Sequence, residues 1–309
     1  MARIVVTRGL PEPALAVLRD SGADVWVSPE DRALAPDELH AAVRGADAAV
    51  VMLHDRVDDA FLEAAGERLR VVANVAVGYD NVDVEAVRRH GVRCTNTPGV
   101  LTDATADLAI ALMLAITRRL GEGERLIRSR EPWAWAIDFM LGRGLRGKTL
   151  GVVGYGAIGR AVAERARAFG MEVVYTRRGE GGVELGELLE RSHVVSLHCP
   201  LTEATRHLID ADALRAMRDD AYLVNTARGP VVDEAALAAA LRDGVIAGAA
   251  LDVFEEEPEV HPGLLGLDNV VLVPHLGSAT EETRTAMAEL AAANVLAVLR
   301  GDDPPTPVV

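Results

Sequence analysis

Short apolar runs alternate along this chain with longer stretches of helical spacing. Ile4–Thr7, Asp24–Val27, Ala48–Met52 and Val71–Asn74 are brief and rich in β-branched or small apolar residues. Ala/Leu/Glu-rich segments separate them. That alternation predicts βαβ units and a parallel sheet. A second series begins near Gly147, with runs at Thr149–Val153, Glu172–Thr176, His193–Leu197, Ala221–Asn225, Ile246–Ala250 and Val270–Val273. No low-complexity linker divides the two series. Two longer helical patterns lie outside both sheets. Thr102–Arg119 carries Leu108, Leu112, Ala115 and Ile116, and Glu281–Arg300 carries Met287, Leu290, Val295, Leu296 and Leu299. The second of these follows the last strand and is expected to cross back onto the first domain. The pattern predicts an α/β fold of two doubly wound parallel-sheet domains with a cleft between them. The first would be discontinuous, 1–97 plus 283–309, and the second would span 98–282.

The turn after Thr149–Val153 carries G-x-G-x-x-G at Gly154, Gly156 and Gly159, and Ala161–Phe169 follows with helical spacing. The glycine triplet alone is a weak signal; a strand before it and a helix after it make a dinucleotide fingerprint. Gly154 permits the tight turn, Gly156 lets the backbone approach a pyrophosphate, and Gly159 lets helix and strand pack closely. The anion would then meet the free N–H groups and positive dipole end of the helix. An NAD site has an acid about 20 residues further on, accepting from the ribose 2′-hydroxyl. Here the second strand ends Val174-Tyr175-Thr176-Arg177-Arg178. A guanidinium pairs with a 2′-phosphate that a carboxylate would repel, and Thr176 adds a hydroxyl. The expected cofactor is therefore NADP, with NAD as the other possibility.

Composition narrows the class without naming a reaction. The 309 residues suit two domains, half of them are apolar, and the net charge is −15. That charge argues against nucleic acid or an anionic membrane as the main partner. Cys94 and Cys199 are far apart and outside any C-x-x-C, so neither a zinc site nor a disulfide framework is expected. The N-terminus runs directly into a strand pattern without a signal-peptide core. The most apolar stretch, Leu108–Ile116, is too short to span a bilayer, which takes about 20 residues. A cytoplasmic location is the expectation.

Three strand ends in the second series carry ionisable groups: Asn225-Thr226-Ala227-Arg228-Gly229, Leu251-Asp252-Val253-Phe254-Glu255-Glu256-Glu257-Pro258 and Pro274-His275-Leu276-Gly277. Ligands of open α/β sheets sit at the carboxyl ends of strands. With these runs, the chain resembles the D-isomer-specific 2-hydroxyacid dehydrogenase family over nearly its whole length. Asn74-Val75-Ala76-Val77-Gly78-Tyr79-Asp80-Asn81, Asn96-Thr97-Pro98-Gly99-Val100-Leu101-Thr102 and Gly147-Lys148-Thr149-Leu150-Gly151 carry the likeness as well. Trp135, Asp138-Phe139-Met140-Leu141-Gly142 and the basic turn after Tyr175 are most similar to the glyoxylate/hydroxypyruvate reductase branch. Ile137 departs from it, standing where proline is usual.

The resemblance implies a flavodoxin-like substrate domain, a Rossmann cofactor domain and an Arg–Glu–His catalytic set falling on Arg228, Glu257 and His275. The chemistry is consistent with those types. Carbonyl reduction needs a proton donor titrating near neutrality, as histidine does. Glu257 would orient the imidazole and favour its charged form. Arg228 would hold the substrate carboxylate with two donors and polarise the keto oxygen. Backbone amides at Val77 and Gly78 would contact the same carboxylate. Thr105, Ala157, Ile158, Thr226, Ala227, Asp252 and Gly277 complete the expected cofactor contacts, and no metal is expected. His193 and His198 read as structural. The resemblance also implies a homodimer, with Leu120–Arg146 and its Trp133 and Trp135 as the contact; a buried-core role for these aromatics is nearly as consistent with the sequence. The pocket for the substrate side chain would be shaped by loops around His54, Arg56 and Val77. Against a 2-keto acid reductase stand a phosphite or phosphoglycerate dehydrogenase-like enzyme and a cofactor-sensing interaction protein. No added regulatory domain is expected after Val309, which would weaken the phosphoglycerate alternative.

Overall fold

The computed structural model describes residues 1–177, 179 and 181–309, and the chain divides into two compact units, Met1–Leu101 with Ala279–Val309, and Thr102–Ser278. These boundaries lie a few residues inside those expected from the pattern for the second domain.

The first unit is built on five parallel strands, β1 (Arg3–Val6), β2 (Asp24–Val27), β3 (Ala48–Val51), β4 (Val71–Asn74) and β5 (Arg93–Thr95), in the order β2-β1-β3-β4-β5. β3 and β4 are buried at every position. Strands covered on both faces read as continuous apolar runs, not alternating ones. Aspartates set the starts of two of the crossover helices: Asp58 accepts from the Phe61 N–H and Asp83 from the Ala86 N–H. The helix Glu281–Arg300 packs its Ala288, Ala291, Ala292, Val295 and Val298 against β3, β4 and the helix Glu12–Asp20. After it the chain turns back along β5, where Val308 donates to Cys94 and Cys94 to Val309. β5 is only three residues long, and its run Arg93-Cys94-Thr95 gives no apolar signal in the sequence.

The second unit holds six parallel strands, β6 (Thr149–Val153), β7 (Glu172–Thr176), β8 (Val194–Leu197), β9 (Tyr222–Asn225), β10 (Gly248–Leu251) and β11 (Val270–Leu272), in the order β11-β10-β9-β8-β6-β7. The helix Thr102–Thr117 is apolar nearly all round. It buries Ala106, Ala109, Ile110 and Met113 against the helix Ala157–Ala168 and strands β9 and β10. The other face of the sheet is sealed by a cluster that includes Leu188, Leu197, Leu214, Leu223 and Leu237. The direction of winding reverses between β6 and β8, the point at which open α/β sheets bind ligands.

The helix Leu120–Ser129, not foreseen as an element, buries none of its residues. Trp135, Ile137 and Leu141 beyond it are mostly exposed, and Trp133 stacks on Phe139 with ring centroids 6.0 Å apart. Among the described residues, no helix is long and apolar enough to cross a membrane.

Candidate active site

The glycine turn lies at the β6/β8 reversal. Gly154 has φ +96°, and a Cβ there would meet the Cys199 nitrogen at 2.6 Å and the His198 carbonyl carbon at 2.7 Å. At Gly159 a Cβ would stand 2.2 Å from the Gly154 oxygen, so helix and turn touch through backbone alone. Gly156 differs: a Cβ there would meet nothing within 4 Å, and Gly156 and Ala157 are exposed. Gly156 caps the helix Ala157–Ala168 without any side-chain hydrogen bond. The turn therefore combines a tight glycine fit below with open space and an uncapped helix N-terminus above, which fits a dinucleotide pyrophosphate. Ile158 lies on the first turn of the same helix. The Thr176 oxygen accepts from the N–H groups of Gly154 and Tyr155, and Tyr155 stacks on Tyr175 at 3.9 Å, so the end of β7 is tied to the turn. Arg177 is exposed beside it, while Arg178 lies outside the described residues.

The neighbouring strand ends supply charge. After β9, the buried Asn225 side chain donates to the Arg228 oxygen at 2.9 Å and accepts from the Ala227 N–H at 3.0 Å. One asparagine thus closes the Thr226-Ala227-Arg228 loop on itself. Arg228 is half-buried, and its guanidinium donates to the Ala227 oxygen at 2.8 Å. Thr226 Oγ1 lies 3.5 Å from Nδ1 of His198, whose Nε2 is 2.8 Å from Ser196 Oγ. Burial pushes His198 down to about 4, so it stays neutral. His193 accepts from the Thr149 N–H and fastens the start of β6.

After β10 and β11 the loops meet. Nδ1 of His275 lies 2.9 Å from Glu257 Oε2, with both side chains just under a third exposed. Burial alone would raise Glu257. The His275 hydrogen bond and charge, the Phe254 N–H and the nearby Arg228 outweigh it and hold the carboxyl below its ordinary value. An ionised carboxylate only accepts, so Nδ1 carries the hydrogen and Nε2 is the ring atom left to face a reactant. His275 itself has φ +52°, the left-handed region. Asp252 fixes the residues that follow: its two carboxylate oxygens accept from the Leu276 N–H at 2.5 Å and the Gly277 N–H at 2.8 Å. Burial raises the Asp252 carboxyl against those two bonds. A Cβ on Gly277 would lie 3.2 Å from Asp252 and 3.5 Å from the Thr105 methyl, so these three residues gather at one spot.

Val77 and Gly78 belong to the first unit and form a loop of their own after β4. Asn96 donates to the Val77 oxygen and Asn74 to the Gly78 oxygen, each at 2.8 Å. In a trans peptide the N–H points opposite to the C=O, so pinning the Val77 carbonyl aims the Gly78 N–H the other way. Asn81 links this loop to the turn after β3 by donating to the Met52 and Asp55 oxygens. His54 in that turn is held below its ordinary value chiefly by burial, and Arg56 is exposed and paired with Asp58. Asn74, Asn96 and Asn225 do not stand out in the sequence as site residues; the one signal there is an amide at or just beyond a strand pattern.

A dinucleotide cradle at a winding reversal, with an Arg, Glu and His set on the next strand ends, defines an NAD-binding oxidoreductase unit. Residues 110–277 match the family model "D-isomer specific 2-hydroxyacid dehydrogenase, NAD binding domain". A glyoxylate reductase of Pyrococcus furiosus is 48% identical to this chain, covering 98% of it and 94% of the relative. One from Thermococcus kodakarensis is also 48% identical, covering 98% and 95%. Among solved structures, a protein from Thermus thermophilus superposes with a TM-score of 0.94 at 47% identity, covering 99% of this chain and 100% of that one. An NADPH-dependent glyoxylate/hydroxypyruvate reductase from Sinorhizobium meliloti, in complex with NADP and malonate, gives 0.84 at 34%, covering 100% and 97%. The chain belongs to the D-isomer-specific 2-hydroxyacid dehydrogenase family.

Proposed function

We propose that this enzyme reduces glyoxylate to glycolate and hydroxypyruvate to D-glycerate, with NADPH preferred over NADH. The observation that carries the reading is the 2.9 Å Glu257–His275 pair, set close enough to Arg228 for its charge to be felt, one strand-end row from the glycine cradle. In this reading the N–H groups of Ala157 and Ile158 hold the pyrophosphate, and Thr105, Thr226, Ala227, Asp252 and Gly277 lie along the rest of the cofactor. When bound, the reduced nicotinamide supplies the hydride that the keto carbon receives. Arg228 binds the substrate carboxylate through its planar fork and draws charge onto the keto oxygen. His275 delivers a proton from Nε2 to that oxygen as the new C–H bond forms, and Glu257 holds the ring through Nδ1 throughout. The neutral imidazole then regains a proton from solvent. In its own unit, the Val77–Gly78 loop offers amide donors suited to a carboxylate.

The cofactor preference rests on Thr176 and the exposed Arg177, with Arg178 beside them in sequence. Two guanidinium groups favour a ribose 2′-phosphate over a bare hydroxyl. The exposed apolar surface at Trp135, Ile137 and Leu141 supports a homodimer joined through 120–146. Steady-state kcat/KM tests the reading, with glyoxylate, hydroxypyruvate and pyruvate each assayed with NADPH and NADH, and phosphite with NADP+ and NAD+. Glyoxylate or hydroxypyruvate with NADPH should lead; phosphite oxidation in their place, or equal use of NADH, would overturn the substrate or the cofactor assignment respectively.

A further inference from the structure

Glu257 sits in a turn closed by the Glu259 N–H donating to the Glu256 oxygen at 2.9 Å. Residues 256–259 are exposed, so something else must hold the turn still for the 2.9 Å contact to His275 to persist. Behind the turn lies Glu234, the first residue of the helix Glu234–Arg242 and only 4% exposed. Its Oε1 accepts from the Glu255 N–H at 2.6 Å, and its Oε2 accepts from the His261 N–H at 3.3 Å. One buried carboxylate therefore spans both feet of the turn, one foot on each side of Glu257.

The clasp is reciprocal. Glu255 returns its Oε1 to the Glu234 N–H at 2.8 Å, and its Oε2 lies 2.8 Å from Nε2 of His207. Gly229, next to Arg228, completes it. A Cβ there would fall 1.8 Å from the Phe254 carbonyl carbon, so the arginine loop and the foot of the turn meet backbone to backbone. Burying the Glu234 carboxylate this close to that of the half-buried Glu255 is costly unless it is fully hydrogen-bonded. Burial and the Glu255 charge push Glu234 up, against the pull of the two amides and of His261. Nothing in the helix Glu234–Arg242 requires an acid so deep: Asp233 already caps it by accepting from the Ala236 N–H.

We infer that Glu234 is a positioning residue for Glu257: with Glu255 and His207 it clamps the feet of the turn and thereby sets the Glu257–His275 pair. The inference rests on the proposed roles of Glu257 and His275. Among the described residues, the titratable groups facing the clamp are Glu255 and His261 around Glu234, His207 against Glu255, and His275, Arg228 and Asp252 around Glu257.

The test is Glu234→Gln in the full-length enzyme. An amide presents an NH2 to one of the two backbone donors, so one foot is released. With NADPH and glyoxylate, kcat should fall by about tenfold, since small misplacements of catalytic groups cost that much or more, while KM for NADPH stays within about twofold. The Glu257 carboxyl is held low by His275. Loosening that contact raises it, so the acid limb of kcat/KM should move to higher pH. The same rise should appear in the 13C titration of the Glu257 carboxyl, identified by its loss in Glu257→Gln, without any substrate. If Glu234→Gln does not fold, His207→Ala, whose side chain is 40% exposed, should give the same directions at smaller size. An unmoved acid limb and an unmoved 13C titration in the folded variants would overturn the clamp. Wild-type protein that turns over no 2-keto acid would instead overturn the catalytic reading, and the 13C titration would still decide the clamp.

Discussion

In both sheets the chain reverses its winding beside the first strand laid down, at β1/β3 in one unit and at β6/β8 in the other. The two reversals are filled differently. At β1/β3 the buried Asp55 carboxylate accepts from Thr7 Oγ1 at 2.5 Å and the Met52 N–H at 2.7 Å, so an acid occupies the crevice end. A phosphate would be repelled there. At β6/β8 no acid intrudes among the described residues; glycine backbone lines the turn and the helix behind it starts uncapped. The same topology thus makes a junction filled by an acid once and an open glycine turn once. Fold places the opportunity, and a handful of side chains, present or absent, decide its use.

The sharpest way to break this contrast is at the strand ends next to the open reversal. His275→Ala should lower kcat by about a thousandfold, the middle of the range for a general acid, with cofactor affinity little changed. A loss smaller than about tenfold in single-turnover measurements would detach the chemistry from this sheet. The next effect separates the reversals directly. Gly154→Ala forces a Cβ onto the Cys199 and His198 backbone, and should weaken NADPH binding by at least about tenfold, seen by fluorescence titration. Gly9→Ala, in the matching turn after β1, meets nothing within 4 Å and should leave NADPH binding unaltered. If both variants bind equally, the glycine turn is not the cradle. The smallest functional effect is expected from Asp55→Ala. It leaves the Met52 amide without its acceptor and the buried Thr7 hydroxyl with only the Val50 oxygen at 3.3 Å, so unfolding stability should drop by about 1–3 kcal/mol. The Kd for NADPH should not move, because this junction is structural.

The open reversal was the most legible feature of the sequence. A glycine turn is specified by residues adjacent in the chain, so Gly154, Gly156 and Gly159 reveal it without any long-range information. The sheets were legible for a related reason: strands such as β3 and β4 are buried on both faces and show as unbroken apolar runs. β5 was not, because it is three residues long and its edge is covered by backbone pairing with 308–309 instead of by an apolar pattern of its own. The Arg228, Glu257 and His275 set could be named through family resemblance, yet the residues that brace it could not. Asn225 closes its loop through two backbone groups, and Glu234 reaches residues 255 and 261 across the fold. Such contacts have no spacing rule. In the sequence, Glu234 looks like any acidic residue in the first turn of a helix.

The backbone at His275 carries a cost as well as a geometry. A left-handed φ of +52° costs an L-residue of this kind on the order of 1 kcal/mol, and glycine would occupy the same turn without that penalty. Selection for stability alone would drift this position towards glycine or asparagine. On the role proposed for His275, the chain accepts that cost in stability for an imidazole that turnover requires.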